Sequence, residues 1–266
     1  MQPLDHLSGN ALARIRGAFA DIDDTLTTDG RLTAEAYAAL SALHAAGMLV
    51  VPITGRPAGW CDHIARMWPV DAVVGENGAF YFCYDRAARR LLKRFRDDDA
   101  TRAANRARLT AVRDRVLADV PGAALASDQL YREADLAIDY CEDVPRLDDA
   151  AVDRIVAIMR AAGMTAKVSS IHVNGWFGDY DKLGMTRTLM RERFGVDLDA
   201  DRDRYVFVGD SPNDAPMFAY FPLSIGVANV RRFATRLELA PAYITAADAG
   251  AGFAELAARL LAARRG

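Results

Sequence analysis

Two apolar runs in this chain each end in a cluster of carboxylates. The run at 18–20 leads into residues 21–25 (DIDDT), and the run at 205–208 leads into residues 209–214 (GDSPND). Crowded carboxylates repel one another, and an apolar setting would raise the pKa of at least one of them unless a cation keeps them ionised. Ligands of parallel α/β sheets collect at the carboxyl ends of the strands. Two such units therefore predict a metal site at that edge of a parallel sheet.

The composition excludes several classes of protein. The 266 residues, 52% hydrophobic and 26% charged, are typical of a globular chain that buries one large core or two smaller ones. A net charge of −3 gives no reason to expect nucleic acid as a partner. No apolar run is long enough to span a bilayer, and the first residues do not resemble a signal peptide. Three scattered cysteines do not suggest a disulfide framework. We expect a cytoplasmic monomer or homodimer that binds neither nucleic acid nor membranes.

The chain divides into two kinds of segment. At both ends, apolar runs alternate with helical patterns, which predicts an α/β fold with a mostly parallel sheet. From Asp85 to about residue 176 the chain is more charged and combines long helices with short strands. We predict an inserted α+β unit at 85–176 and an α/β core made of 1–84 and 177–266. Arginines of the predicted helix 101–120 are expected to form a solvated face. They are Arg102, Arg106, Arg108, Arg113 and Arg115.

The apolar pattern also predicts features of single elements. Thr33 should cap a helix that ends at Gly47. Trp60, Ile64 and Met67 share one face of the next helix. The pattern further predicts a strand with one wet face at 136–140, a strand at 166–173, an edge strand at 243–245 and a terminal helix at 251–265.

Phosphoryl transfer accounts for the two carboxylate clusters. A carboxylate can attack phosphorus and form an acyl phosphate that water then cleaves. A second carboxylate nearby can protonate the leaving alkoxide and later deprotonate that water. Asp21 and Asp23 suit these two roles, because a spacing of two places both side chains on one side of an extended segment. Attack of an anion on a dianionic phosphate ester needs charge neutralisation, which Mg²⁺ supplies.

Phosphate binding has candidates elsewhere in the chain. Thr54 ends a predicted strand, so its hydroxyl and the Gly55 amide could bind phosphate oxygens. Lys182 begins a predicted helix and could neutralise the phosphate and restrain Asp21.

The second cluster supplies the metal site. Asp210 could ligate the metal directly, while Asn213 and Asp214 could orient its bound waters.

Three further residues are candidates for substrate contact, each with a competing structural interpretation. Arg56 either contacts the substrate or forms a surface salt bridge. Asn77 follows the predicted third strand together with Glu76, and it lies either at the rim of the site or in a left-handed turn. His172 lies where the inserted unit returns to the core, and it either contacts the substrate or packs in the interior.

Four segments in this order resemble the motifs of the haloacid dehalogenase superfamily. They are residues 21–25, residues 54–56, Lys182 and residues 209–214. The inserted unit lies between the second and third of them. That position, together with residues 75–79 (GENGA), is similar to the Cof-type branch, subfamily IIB, which includes sucrose-phosphate, trehalose-phosphate and mannosyl-phosphoglycerate phosphatases. The resemblance spans nearly the whole chain.

The resemblance implies a Rossmann-like core with a parallel sheet, an α+β cap of the C2 type, dependence on Mg²⁺ and an aspartyl phosphate on Asp21. It also implies metal ligation by Asp21 and by the backbone carbonyl of Asp23, beside the residues of the second cluster. Asp24 departs from the pattern, since many relatives have glycine there. This changes the backbone freedom of the loop more than its chemistry.

We therefore expect a Mg²⁺-dependent phosphatase that acts on a small phosphorylated metabolite, in the first place a sugar phosphate. A hexose phosphomutase would form the same aspartyl phosphate but return the group to its substrate. A non-catalytic metabolite-binding protein on the same fold should have lost at least one catalytic position, and every motif position is filled here.

Overall fold

A computed structural model describes residues 1–264 of the chain. The strands are β1 (Gln2–Pro3), β2 (Gly17–Ala20), β3 (Thr27–Thr28), β4 (Arg31–Leu32), β5 (Leu49–Pro52), β6 (Val73–Gly75), β7 (Phe80–Asp85), β8 (Arg90–Phe95), β9 (Ala124–Leu125), β10 (Asp135–Asp139), β11 (Thr165–Val168), β12 (His172–Trp176), β13 (Tyr205–Gly209), β14 (Ser224–Gly226) and β15 (Tyr243–Ile244). The α-helices are α1 (Gly9–Ala13), α2 (Ala34–Ala45), α3 (Ala58–Met67), α4 (Asp99–Asp119), α5 (Asp149–Ala161), α6 (Lys182–Phe194), α7 (Leu198–Asp201), α8 (Ala215–Tyr220) and α9 (Ala249–Ala263).

The central sheet has six strands in the order β1-β15-β14-β13-β2-β5, and all of its pairings are parallel. β2 and β13 lie side by side, with Ala20 opposite Val208. The backbone N–H of Asp21 continues the ladder by donating to the Val208 carbonyl. The two strands that precede the acidic clusters therefore end next to each other, as the sequence predicts.

Helices cover both faces of this sheet, so its middle strands are buried on both sides. In β13, Val206 and Val208 pack with α2 and α9 on one face, while Phe207 packs with α6 and α8 on the other. Thr33 caps α2, as predicted, because its side chain accepts a hydrogen bond from the Ala36 N–H. Within residues 1–264, none of the helices has both the length and the hydrophobicity that crossing a membrane requires.

Trp60, Ile64 and Met67 share one face of α3, as predicted, but only Ile64 of the three is buried. On α3 the buried residues include Cys61 and Ile64, whereas Trp60 is 42% exposed and Met67 65% exposed. The Trp60 ring lies beneath the guanidinium of Arg56, 4.3 Å from its carbon, and not in the core.

The prediction of an edge strand at 243–245 is wrong, because the short β1 pairs along the outer side of β15. The terminal helix ends at Ala263 among the described residues, and Arg265 of the predicted helix lies outside them.

A second, antiparallel sheet has the strand order β11-β12-β10-β9, and α4 and α5 pack against it. The predicted wet face of β10 is wrong, because all five of its residues are buried and the carboxylates of Asp135 and Asp139 have hydrogen-bond partners. The predicted strand at 166–173 is in fact the hairpin of β11 and β12.

The β7–β8 hairpin belongs with the central part of the molecule. β7 pairs with β6, and β6 is bridged in parallel to the core through Val74 and Ile53. Asp85, the predicted first residue of the inserted unit, pairs with Arg90 inside this hairpin. We therefore propose that the inserted unit begins after Phe95, and below we call residues 96–176 the cap.

Candidate active site

Three carboxylates meet at the carboxyl ends of β2 and β13. Asp21 follows β2, Asp210 follows β13, and Asp214 lies in the turn that leads into α8. One oxygen from each lies within 4.8 Å of the others, and all three residues are buried. The Asp214 Oδ2 atom accepts hydrogen bonds from the backbone N–H groups of Asp210 and Ser211, which fixes the loop after β13.

Lys182 is the cation in direct contact with this cluster. Its Nζ lies 2.7 Å from Asp21 Oδ1 and 2.7 Å from Asp214 Oδ1, and the residue is 1% exposed. It occupies the first position of α6, where the Asp181 side chain caps the helix by accepting from the Gly184 N–H. Burial by itself would lower the pKa of Lys182, but the charges of Asp21 and Asp214 outweigh it and hold that pKa above its ordinary value.

One lysine does not balance three buried carboxylates. Burial raises the pKa of Asp21 to about 8, because the charges of Asp214 and Asp23 add to the desolvation and Lys182 opposes them only in part. Burial also raises the pKa of Asp210 well above its ordinary value, with Asp21 and Asp214 adding to the effect. An excess of buried negative charge on hard oxygen ligands is the environment that suits a divalent cation such as Mg²⁺.

The carboxylate of Asp23 is held by Arg56. Arg56 Nε lies 2.9 Å from Asp23 Oδ1 and 3.0 Å from Oδ2. Arg56 is only 3% exposed, so the interpretation as a surface salt bridge is wrong. The same guanidinium contacts two carboxylates of the cap: Nη2 lies 2.6 Å from Glu142 Oε1, and Nη1 lies 3.4 Å from Asp128 Oδ2. His172 is buried beside this group, with Nε2 2.9 Å from Glu142 Oε2.

Thr54, Gly55 and Asn77 lie together after β5 and β6. The Thr54 hydroxyl accepts from the Arg56 N–H at 3.0 Å, and a Cβ on Gly55 would come within 3.1 Å of Asn77 Nδ2. Asn77 has the left-handed backbone that one interpretation of the sequence predicted, with φ 53°. Its Oδ1 accepts from Asn213 Nδ2, whereas its buried Nδ2 has no hydrogen-bond partner among the described residues. An unused donor therefore faces the loop that is predicted to bind phosphate.

Two residues beside Asp210 escaped the sequence analysis. The Thr25 hydroxyl donates to Asp210 Oδ1 at 3.4 Å, and Asn229 Nδ2 donates to Asp210 Oδ2 at 3.3 Å and to the Asp24 carbonyl at 2.9 Å. Asn229 comes shortly after β14, another strand of the parallel sheet. Its position after a parallel strand is the same signal that Asp21 and Asp210 show in the sequence.

Glu76 is not at the rim of the site, as the sequence suggested, but is fully buried between core and cap. Its carboxylate accepts hydrogen bonds from the Ala58 N–H of the core and from the N–H groups of three successive cap residues, 133–135, at 2.6–3.2 Å. Arg132 makes a second connection, since it pairs with Asp135 and donates to the Gly55 carbonyl at 2.8 Å. The cap is therefore joined directly to the loop that carries Gly55.

A cavity of about 360 Å³ opens between the core and the cap. Asp24, Asp210 and Asn229 line its inner end, and Tyr140 and Ser170 of the cap line its opposite wall. Arg56, Asn77 and His172 are not among its lining residues. Their contact with a substrate stays a prediction.

The comparison with known proteins agrees with this geometry. Residues 18–103 match the family model of the haloacid dehalogenase-like hydrolases. The resemblance that the four motifs indicate is confirmed, and so is the α/β fold with a parallel central sheet and additional antiparallel sheets. No curated protein matches the chain significantly in sequence.

Several solved structures share this fold over nearly the whole chain. A protein from Thermoplasma acidophilum superposes with a TM-score of 0.68 at 18% identity, covering 93% of this chain and 98% of its own. A HAD/COF-like hydrolase from Plasmodium vivax gives 0.66 at 17% identity, with 95% and 98% covered. The sucrose-phosphatase of Synechocystis, solved with sucrose and phosphate, gives 0.61 at 13% identity, with 92% and 98% covered. At these identities the likeness is one of fold.

Proposed function

We propose that the protein is a Mg²⁺-dependent phosphatase that hydrolyses a small phosphorylated metabolite through an aspartyl phosphate on Asp21. The observation that carries the proposal is the buried group of Asp21, Asp210 and Asp214 with Lys182 at the carboxyl edge of the parallel sheet. Structures of a sucrose-phosphatase and of a subclass IIB sugar phosphatase share the fold, which supports a sugar phosphate as the substrate. We include in the proposal that the protein acts in the cytoplasm, as a monomer or a homodimer.

Asp21 is the proposed nucleophile. Lys182 holds its Oδ1 atom at 2.7 Å, which leaves Oδ2 as the oxygen that attacks phosphorus. The P–O bond to the leaving group breaks as the bond to Oδ2 forms, and water then cleaves the acyl phosphate to regenerate the carboxylate. The side chain of Lys182 also lies where it can offset the charge of the transferring phosphoryl group.

Asp23 is the proposed general acid and base. In this structure Arg56 occupies both of its carboxylate oxygens. Transfer of a proton to the leaving alkoxide therefore requires the carboxylate to turn away from Arg56. The proton goes to the leaving oxygen in the first step, and Asp23 recovers one from the attacking water in the second.

The donor set fits a divalent cation. Asp21 and Asp210, with the backbone carbonyl of Asp23, would hold the ion, and Asn213 and Asp214 would orient its waters. When bound, Mg²⁺ neutralises the charge that otherwise opposes the approach of a phosphate dianion to Asp21. Thr54, Gly55 and the unused Asn77 Nδ2 donor are proposed to bind the phosphate oxygens.

The decisive experiment measures phosphate release from p-nitrophenyl phosphate. We expect release with Mg²⁺, loss of release with EDTA, and recovery when Mg²⁺ is restored. Asp21→Asn should lower kcat about a thousandfold or more, because the nucleophile is removed. Asp114→Asn, on the exposed face of α4, is the matched control and should retain full activity. Full activity of Asp21→Asn would exclude the mechanism.

A hexose 1-phosphate that yields the 6-phosphate without free phosphate would indicate a phosphomutase instead.

A further inference from the structure

The cavity between core and cap has a distinct arrangement of charge. Its inner end carries the carboxylates of Asp24 and Asp210, which belong to the candidate metal site. Three arginines also line it: Arg146 from the cap, and Arg232 and Arg236 from the loop that follows β14. Asp21 itself does not line the cavity, but Asp210 does, and oxygens of these two carboxylates lie within 4.8 Å of each other. The cavity therefore adjoins the proposed nucleophile. A leaving group that extends from Asp21 into the cavity would meet the residues that line it.

The three arginines differ in whether carboxylates of the protein already pair with them. Arg236 is the least exposed of the paired arginines and already contacts two carboxylates of α5, Asp149 at 3.1 Å and Asp153 at 3.2 Å. Arg232 reaches Asp248 at 3.5 Å, but both side chains are more than half exposed, so this pair contributes little.

Arg146 lies at the exposed mouth of the cavity and has no carboxylate partner among residues 1–264. Its guanidinium carbon lies 5.5 Å from the centre of the Tyr140 ring, within the range of a cation–π contact, which leaves its N–H donors available. Guanidinium groups bind carboxylates and phosphates through two parallel hydrogen bonds. A leaving group without a charge of its own would form no ion pair with Arg146.

We propose that the substrate carries a second anionic group, a carboxylate or a further phosphate, on the part of the molecule remote from the scissile phosphate, and that Arg146, with Arg232 beside it, binds this group. The proposal rests on the proposed phosphatase function and specifies its substrate class. The cavity volume of about 360 Å³ lies near the lower limit for ligand sites, which favours a small metabolite with both charges close together.

Matched pairs of phosphate esters test the proposal. 3-Phosphoglycerate and glycerol 3-phosphate differ by a carboxylate, and fructose 1,6-bisphosphate and fructose 6-phosphate differ by a phosphate, so the two pairs separate the two anions. We expect the member with the second anionic group, in one of the pairs, to have a kcat/KM about tenfold or more above that of the member without it. Arg146→Met should reduce this ratio about ten- to hundredfold, because a charge-assisted contact is lost. Arg115→Met, on the exposed face of α4, is the control and should leave the ratio unchanged.

A binding measurement makes the test independent of turnover. Calorimetric titration of Asp21→Asn with each pair should show that, in one pair, the ester with the second anionic group binds more tightly. The double variant with Arg146→Met should lose that preference. Arg232→Met provides a second variant of the same cluster, and thermal melts check that each variant is folded. The proposal would be overturned if the members without the second anion were bound and turned over equally well or better, or if the ratio were unchanged in both arginine variants. If no ester is hydrolysed, p-nitrophenyl phosphate included, the phosphatase function fails, and the titrations still decide whether the anion site exists.

Discussion

Arg56 holds the carboxylate of Asp23 with a guanidinium nitrogen 2.8 Å from its Oδ1 atom. The same group contacts Glu142 of the cap at 2.6 Å. One side chain therefore connects the proposed acid/base of the core to the cap. In this structure the contact between cap and core and the restraint of Asp23 occur together, so a movement of the cap that breaks the Glu142 contact would also change what surrounds Asp23.

Removing this side chain should loosen the cap and impair catalysis together. In Arg56→Met, three carboxylates of core and cap lose a shared cation, and we expect an increased radius of gyration by small-angle scattering. We also expect kcat/KM to fall about ten- to hundredfold, as for the loss of a charge-assisted contact. Arg66→Met removes an arginine from the exposed face of α3 and is the control. If Arg56→Met had the same scattering profile and the same kinetics as the wild type, Arg56 would not link the position of the cap to catalysis.

The contact of Glu142 with Arg56 and His172 should make stability depend on pH. Burial by itself would raise the pKa of Glu142, but His172 and Arg56 outweigh it and lower that pKa from 4.5 to about 2. Since the folded protein binds the proton less tightly than the unfolded chain, the contribution of Glu142 is complete above pH 4.5 and is lost as the pH falls toward 2. Urea denaturation of the wild type and Glu142→Gln should give a difference in unfolding free energy that shrinks from pH 6 to pH 3. A difference that stays constant over that range would contradict this assignment.

Metal binding should be visible as a change in stability, without any substrate. Mg²⁺ at a hundred times its Kd should stabilise the wild type by about 2.7 kcal/mol, because only the folded state has the site. Asp210→Asn should lose most of this gain. It should also melt at a higher temperature than the wild type in EDTA, because it removes one of three crowded, buried carboxylates. Equal gains from Mg²⁺ in the two proteins would place the ion elsewhere.

Gly78 should be needed to position Lys182. Its φ is +107°, and a Cβ there would lie 2.0 Å from the carbonyl oxygen of Asp181, the residue that caps α6. We expect Gly78→Ala to destabilise the protein and to reduce activity, since Asp181 and the helix start that carries Lys182 must shift. Gly163→Ala is the control, with φ +79° but no atom within 4 Å of its Cβ. Its destabilisation, about 1 kcal/mol or more, measures the backbone strain alone. If Gly78→Ala lowers the free energy of unfolding no more than Gly163→Ala does, the clash with Asp181 is relieved by movement elsewhere.

The parts of the site that follow a strand were predictable, and those that join core to cap were not. Asp21 and Asp210 converge because parallel neighbours must end at the same edge, and the sequence shows where β2 and β13 end. Lys182 could be placed because a helix start is a local signal. Glu76 and Arg56, in contrast, have partners 57–86 residues away, and no local pattern distinguishes them from ordinary polar loop residues. Alternation likewise misled for β10, because its two carboxylates are buried with bound donors: Asp139 accepts from the N–H groups of residues 141–143, and Asp135 pairs with Arg132 and accepts from Asn174.

Glu76 also limits how this molecule can be rebuilt. Its single carboxylate receives one N–H from the core and three from consecutive residues of the cap, at 133–135. A cap taken from another protein of this fold would have to present the same run of three N–H groups, or the exchange would remove three of these four donors from a buried carboxylate. In a chimera, residues 132–135 of this chain should therefore be kept together with its core. Only the cap segments on either side of them should be exchanged to change the substrate.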